Sequence, residues 1–543
     1  MSEPIQPKDE PGHIDRRGFF RGAAALTVGG LGAVAAPAQL EAQLAAAPQR
    51  ADAAEQLEAQ TQNALRWIGR EPADWVRPRA GVDHNVVIVG GGQSGLSIAY
   101  GLKRKGVGRV EVIDRASPGE AGIWRSIARM HQLRTPKTLA GPELGNPALS
   151  FRAWYETLNG TTAFDALDRI PRTAWADYLD WFQQATGTTV RYGTRLLEIE
   201  AQGDLLRLHL ESNGVRSVAT TRKVVLANGY AGAGGPNVPD FVRVLPANLW
   251  THTTGNIPFE ALAGKVVGVI GAGSSAFDAA AVALESGAAE VHMFSRRAYV
   301  DYPAPPGPPA PTGPQATPPS PPPDRGHANM LELSYELPDA VRWRNFLLGD
   351  RRVASVPLDS IERAVEFDNF HLHLNSSLSD VAAAGSGKVT GKVGSKSFSF
   401  DHLIAATGYR IDLAAQPELA RIHESIALWG DRFTPSAGDE SAAGGAHPYL
   451  GAGFEFLPRN ENGAEHLRNI HCFNLSAALS FGIPVGDVPS VVDQPRLILA
   501  IARDLYREGV DVAVHQRFIS APLTAPSAAP YERAIVAADR EVA

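Results

Sequence analysis

The chain has 543 residues, 44% of them hydrophobic and 20% charged, a balance that belongs to folded globular proteins and a length that calls for two or three cores. Its net charge of -7 is mild for that size and no basic stripe accompanies it, which argues against nucleic acid as a partner. One cysteine, Cys472, excludes an internal disulfide and paired-thiol chemistry; it reads as a small buried hydrophobe.

The first notable pattern is Arg16-Arg17-Gly18-Phe19-Phe20-Arg21, followed by a weakly hydrophobic Gly/Ala segment from Gly22 to Ala36. Ala36-Pro37-Ala38 and Ala45-Ala46-Ala47 are small-residue cleavage candidates. This is the pattern of a bacterial twin-arginine (Tat) export signal, so residues 1–50 are predicted to be signal and linker, and the Tat machinery a partner. Residues 51–84 read as a polar helical lead into an approach carrying Pro72, Trp75 and Pro78. No run of 18 apolar residues is free of Gly and polar interruptions, and no ordinary membrane span is expected.

Val86-Val87-Ile88-Val89 is a continuous apolar run, as a central parallel strand buried on both faces requires. It enters Gly90-Gly91-Gly92-Gln93-Ser94-Gly95, then a helix to about Lys105, then a strand from Arg109 to Ile113 that ends at Asp114. The unit recurs 181 residues later: Val266 to Ile270, the turn Gly271-Ala272-Gly273-Ser274-Ser275-Ala276, an Ala-rich helix to about Glu285, and a strand from Glu290 to Phe294. Each is a strand, glycine turn, helix and strand, the βαβ unit of dinucleotide folds. Two more apolar strands end in small residues, at Ala227-Asn228-Gly229-Tyr230 and Ala406-Thr407-Gly408-Tyr409; such ends let backbone approach a cofactor. Pro303 to Pro323 reads as an extended, exposed insertion in the second unit.

In this motif the first Gly makes the tight turn, the second admits the pyrophosphate, the third lets helix and strand pack, and the helix N-terminus faces the phosphates. The residue 24 positions after the first Gly separates the two units. In the first it is Asp114, whose carboxylate can accept hydrogen bonds from a ribose hydroxyl pair, as in the adenosine half of FAD. In the second it is Ser295, followed by Arg296 and Arg297. A carboxylate there would repel a 2′-phosphate, whereas guanidinium groups bind it. The residues therefore place FAD first and NADPH second.

The order of motifs over residues 85–510 resembles the class B flavoprotein monooxygenases, the superfamily of flavin-containing, Baeyer–Villiger and N-hydroxylating monooxygenases. The resemblance implies an α/β fold with two Rossmann-type domains, the NADPH domain inserted into the FAD domain: residues 85–245 and 401–543 for FAD, 246–400 for NADPH. It gives Gly90, Gly92, Gln93, Ser94, Gly95 and Asp114 to FAD, with Gly122 and Trp124 similar to a Gly-Gly-x-Trp segment near the flavin (Ala121 replaces its first Gly). It gives Gly271, Gly273, Ser274, Ser275, Ser295, Arg296 and Arg297 to NADPH, and puts Thr407 and Gly408 at the return into the FAD domain. His252 matches the histidine of a Phe-x-Gly-x-x-x-His linker, but Pro246 and Asn248 stand where Phe and Gly belong. This departs from Baeyer–Villiger enzymes. The segments Leu133-Arg134-Thr135-Pro136-Lys137 and Gly141-Pro142-Glu143-Leu144-Gly145, with Trp154, resemble a bacterial branch labelled FAD-dependent urate hydroxylases. The stretch from Phe473-Asn474 to Gly486-Asp487 is a candidate for placing a helix N-terminus at the flavin.

The resemblance implies hydride transfer from NADPH to the flavin, reaction with O2 to a C4a-peroxyflavin, and insertion of one oxygen atom into a small organic substrate. His252 would orient NADPH or the linker. No metal ligand set is singled out. Two other readings use the same sites: an NAD(P)H oxidase or dehydrogenase passing electrons to O2 or a quinone, and a redox sensor that binds both nucleotides without turnover. Export also conflicts with NADPH, which is cytoplasmic.

Overall fold

The computed structural model describes residues 37–69, 71–302, 333–351, 355–385, 387–460, 464–510, 512–522 and 524–535. The twin-arginine segment and the run from Pro303 to Pro323 lie outside the described residues.

The elements used below are, in chain order, α1 (Pro37–Trp67), β1 (His84–Val89), α2 (Gln93–Arg104), β2 (Val110–Ile113), β3 (Gln132–Pro136), β4 (Arg169–Pro171), α3 (Arg172–Ala185), β5 (Val190–Arg191), β6 (Thr194–Gln202), β7 (Leu205–Ser212), β8 (Val215–Gly229), β9 (Trp250–His252), β10 (Val266–Ile270), α4 (Ser274–Glu285), β11 (Glu290–Phe294), α5 (Asp339–Arg351), α6 (Leu358–Val365), β12 (Phe370–His373), β13 (Ser379–Ala383), β14 (Val389–Val393), β15 (Lys396–Phe400), β16 (His402–Ala405), β17 (Ile470–Asn474) and α7 (Gln494–Gly509).

The fold is α/β and built around two sheets, the first mixed and the second parallel. The first runs β5-β2-β1-β8-β7-β6, with β17 also on β8. Val86, Val87 and Ile88 are fully buried at its centre, as are Val224 and Val225 of β8, which is why these runs are apolar on both faces. β7 alternates half-buried and buried positions and forms an antiparallel hairpin with β6 on one side. The second sheet runs β12-β11-β10-β16-β9 with every pair parallel. The three antiparallel strands β13, β14 and β15 form a further small sheet, and Val389 and Phe400 from it join Phe294 and Leu403 in one apolar cluster.

β16 corrects one boundary. It pairs with β10 through Val267↔His402 to Ile270↔Ala405, so the second sheet reaches past position 400, where the sequence reading closed it. The chain crosses back only afterwards, where Arg410 N–H donates to Gly235 O and Asp412 N–H to Ala233 O. Among the described residues no helix is long and apolar enough to cross a membrane. Cys472 is buried at the centre of β17, and burial pushes its thiol up to about 12.

Candidate active site

The two glycine turns are built alike. Gly90 has φ +114° and Gly271 φ +113°, conformations that L side chains rarely adopt. A Cβ on Gly90 would lie 2.3 Å from Ala227 O, and one on Gly271 would lie 2.3 Å from Ala406 O. Each first glycine is thus pressed against the end of a third strand, β8 or β16. Each also donates its N–H to the end of the second strand, Gly90 to Ile113 O at 2.8 Å and Gly271 to Phe294 O at 3.0 Å. The third position differs. A Cβ on Gly95 would meet Gly90 O at 1.8 Å, whereas Ala276 is accommodated and fully buried.

Gly92 and Gly273 are the N-cap residues of α2 and α4. Neither helix has a side-chain cap, so the N–H groups of each first turn remain available to an anion. A Cβ on Gly92 would face Gly122 Cα at 3.4 Å, and one on Gly273 would meet nothing within 4 Å. Behind Gly92, the Gln93 Nε2 and Ser94 Oγ are buried without a hydrogen-bond partner, while Gln93 Oε1 accepts from Trp175 Nε1 at 3.2 Å. A cleft beside the turn is lined by Gly91, Gly92, Leu96, Ala121, Trp124 and Tyr192. Trp124 is buried edge-on to Trp175, and Arg172 donates to the Trp124 and Met130 carbonyls, holding this loop. Open glycine backbone and unpaired polar atoms at a helix start are what a dinucleotide pyrophosphate needs, and FAD fits these residues.

Asp114 does more than sequence reasoning assigned it. Its Oδ2 accepts from Gly91 N–H at 2.7 Å and its Oδ1 from Ala116 N–H at 2.7 Å. The carboxylate ties the glycine turn to its own strand end, and each oxygen keeps lone-pair capacity for a ribose hydroxyl. In the second unit Ser295 is buried and its Oγ accepts from Arg297 N–H at 3.1 Å. Arg296 and Arg297 stand exposed at the β11 end, with Arg297 O accepting from Asn375 N–H at 3.0 Å.

The carboxyl ends of the two sheets meet, the place where open α/β sheets bind ligands. Tyr230, after β8, packs edge-on to Tyr409, after β16, with centroids 5.3 Å apart. His252, at the end of β9, lies 6.4 Å from Tyr409. Thr407 Oγ1 donates to Asn237 O at 2.5 Å, and Gly408 O accepts from Asn237 N–H; both residues lie on the crossing strand end. His252 is buried, its Nδ1 accepts from Thr254 N–H at 3.1 Å, and the Gly408 carbonyl faces the ring. Burial, with Arg129 nearby, pulls this imidazole down to about 4, so it is neutral with its proton on Nε2. Asp487 is pushed up to about 7 by burial. Tyr230 is raised by burial and by Asp487. The residue before Asp487 packs against β8: a Cβ on Gly486 would lie 3.4 Å from Gly229 Cα. Helices between Asn474 and Gly486 are only short turns, whereas the helical stretch after Asp487 opens at Pro489–Asp493 and continues into α7.

Several residues make pairings that the sequence did not indicate. Arg129 donates to Thr253 O at 2.6 Å and Gly255 O at 2.8 Å, fastening the first domain to the linker. Arg134 on β3 pairs with the buried Asp278 of α4 at 2.6 Å, and Asp278 also accepts from Ser360 Oγ at 2.8 Å. No local motif marks such residues, since each partner lies more than 80 positions away.

Two sheets, each with a glycine turn between its central strand and the helix that follows, define a flavoprotein oxidoreductase of the two-nucleotide type. Family comparisons agree: the FAD-NAD(P)-binding family matches residues 87–231, and the L-lysine 6-monooxygenase/L-ornithine 5-monooxygenase family matches residues 161–302. A FAD-dependent urate hydroxylase of Xanthomonas campestris pv. campestris is 38% identical over 458 residues, which is 83% of this chain and 93% of that protein. The chain belongs to this family of FAD- and NADPH-dependent flavoprotein monooxygenases. Among solved structures, L-lysine 6-monooxygenase from Pseudomonas syringae shares the fold at TM-score 0.58 and 17% identity, over 79% of this chain and all of that one (100%). Ornithine hydroxylase from Pseudomonas aeruginosa does so at TM-score 0.56 and 18% identity, over 78% of this chain and 99% of that one.

Proposed function

We propose that the substrate is urate or a closely related oxidised purine. The observation that carries this is the 38% identity to a FAD-dependent urate hydroxylase along 93% of its length. The cluster between the sheet ends suits such a substrate. Tyr230 and Tyr409 offer rings for a planar heterocycle and hydroxyls for its carbonyls, and neutral His252 stands beside them. When bound, FAD supplies the redox and oxygen chemistry. The chain's own residues orient the two nucleotides, exclude water with Trp124 and the Tyr pair, and hold a proton on Asp487 near neutral pH.

We further propose that Gly90, Gly92, Gln93, Ser94, Gly95, Asp114, Gly122 and Trp124 bind FAD. Gly271, Gly273, Ser274, Ser275, Ser295, Arg296 and Arg297 bind NADPH, with Thr407, Gly408 and His252 between the two. Residues 1–50 act as a twin-arginine export signal, which places the enzyme outside the cytoplasm and requires NADPH to be met before export or replaced there.

The test is NADPH oxidation and O2 uptake with and without urate, followed by product analysis. Oxygenated product formed in step with NADPH supports the reading. Hydrogen peroxide in full yield with unchanged urate would show an oxidase instead. A fusion of residues 1–50 to a folded reporter tests export: it reaches the periplasm only with Arg16 and Arg17 intact.

A further inference from the structure

The second sheet carries a row of ionisable side chains away from the nucleotide turn. Glu290 and His292 are two apart on β11 and share one face; Val291 and Met293, on the other, are fully buried in the core that includes α4. Parallel pairing sets His292 beside His371 and Phe294 beside His373. Four chemistry-bearing groups therefore sit on two adjacent strands, bordered by Phe398 and Phe400 of β15.

The contacts within the row are specific. His292 Nε2 lies 3.0 Å from Glu290 Oε2, and His292 Nδ1 lies 3.1 Å from His373 Nε2. His371 stacks on His292 with centroids 4.7 Å apart. One ligand atom from each of Glu290, His292 and His371 lies within 4.8 Å of the other two. Ligands about 2.0–2.1 Å from a tetrahedral zinc ion are roughly 3.3 Å from one another, so a small contraction suffices to close the set.

We propose that Glu290, His292 and His371 form a binding site for a zinc-class divalent cation, with His373 as the outer partner that orients His292. Two imidazoles and a carboxylate are a donor set that zinc takes, with a fourth position left for water. A cation on His292 Nε2 requires the ring proton to be on Nδ1, the nitrogen that faces His373; this is the usual arrangement of a ligating histidine. The half-exposed Glu290 carboxylate, 51% accessible, gives the cation a way in from solvent. The ion would clamp β11 to β12 just before β11 passes into the Ser295–Arg297 loop, where Ser295 N–H already donates to His373 O at 2.9 Å. This site serves a structural role and does not depend on the substrate.

The test uses tag-free, chelator-stripped protein carrying its FAD, titrated with Zn2+ in a calorimeter, with metal content read by elemental analysis. The wild type should take up one equivalent per chain, and its thermal midpoint should rise with Zn2+, as binding to the native state requires. H292A and H371A should lose saturable uptake. H373A should weaken it about 10- to 100-fold, the cost of losing an outer-sphere partner. Full yellow FAD content in all three variants confirms that they fold. Absence of saturable uptake by the wild type, or uptake by H292A and H371A equal to it, would overturn the proposal.

Discussion

At the scale of single residues, the glycine turns separate packing from binding. Gly90 and Gly95 are needed by the fold itself, because a Cβ would enter the Ala227 or Gly90 carbonyl. Gly92 is different, since its Cβ position faces the cleft. We expect Gly92→Val to fold and to purify pale, its branched side chain standing where the pyrophosphate would lie; a yellow Gly92→Val protein with full FAD content would refute the first site. Asp114→Ala is a poorer test, since it leaves two backbone N–H groups unpaired, at about 1–3 kcal/mol each when buried. At the second turn, Arg297→Ala should erode the preference for NADPH over NADH by roughly 10- to 100-fold, because a charge-assisted contact contributes about 1.5–3 kcal/mol. Stopped-flow reduction of the flavin with both nucleotides measures it, and equal affinities in the wild type would remove the basis of the second site. The glycines and the Asp114/Ser295 contrast were legible in sequence because each acts within its own βαβ unit. The second duty of Asp114, as acceptor for the Gly91 and Ala116 N–H groups, was not, because a carboxylate at a strand end looks the same with or without it.

Among elements, the contact between β3, α4 and α6 fixes how the two nucleotide folds meet. Asp278 is buried, and its two oxygens are taken by Arg134 from β3 and Ser360 from α6. Glu285, two turns further along the same face of α4, pairs with Arg363 of α6 at 2.6 Å. Removing one partner of a buried ion pair leaves a charge without compensation. Arg134 is partly solvent-exposed, so the loss is moderated by water. We expect Arg134→Met to destabilise the protein by about 1–3 kcal/mol, the cost of an unsatisfied buried acceptor, and Arg134→Met/Asp278→Leu to recover part of it. Urea unfolding of the single and double variants decides this; a single variant as stable as wild type would deny the contact any role. The long apolar strands β1, β8 and β10 were readable as continuous hydrophobic runs. β5 and β9, of two and three residues, carry no periodicity and exist only because a longer strand lies beside them.

For the whole molecule, buried titratable groups tie stability to pH. His252, His447 and His471 are buried, and burial pulls each imidazole down to about 4 from its ordinary 6.5. The unfolded chain binds these protons first. Each histidine therefore contributes stability that is complete above about pH 6.5 and is lost as pH falls toward 4. Asp487, raised to about 7 by burial, has the opposite sign: protonated in the fold, its contribution is complete below the ordinary carboxylate pKa and is lost as pH rises toward 7. Variants separate the two. The stability gap between wild type and His471→Gln should be constant above pH 6.5 and shrink on acidification, read from urea midpoints across pH 4.5–8; a gap unchanged through pH 5 would contradict this. Asp487→Asn should gain on wild type as pH rises from about 4 toward 7 and keep that gain above it.

The sequence by itself determined the two glycine turns and their different second-strand ends, because the steric demands of a glycine turn and the residue that closes its βαβ unit are expressed within about 25 residues. Only the tertiary structure decided which sheet β16 joins, that Arg134 meets Asp278 across 144 positions, and that His292 stands beside His371. Those pairings depend on parallel register and on how two sheets face one another. A parallel neighbour can come from far along the chain, and neither its identity nor its register leaves a trace in the local pattern.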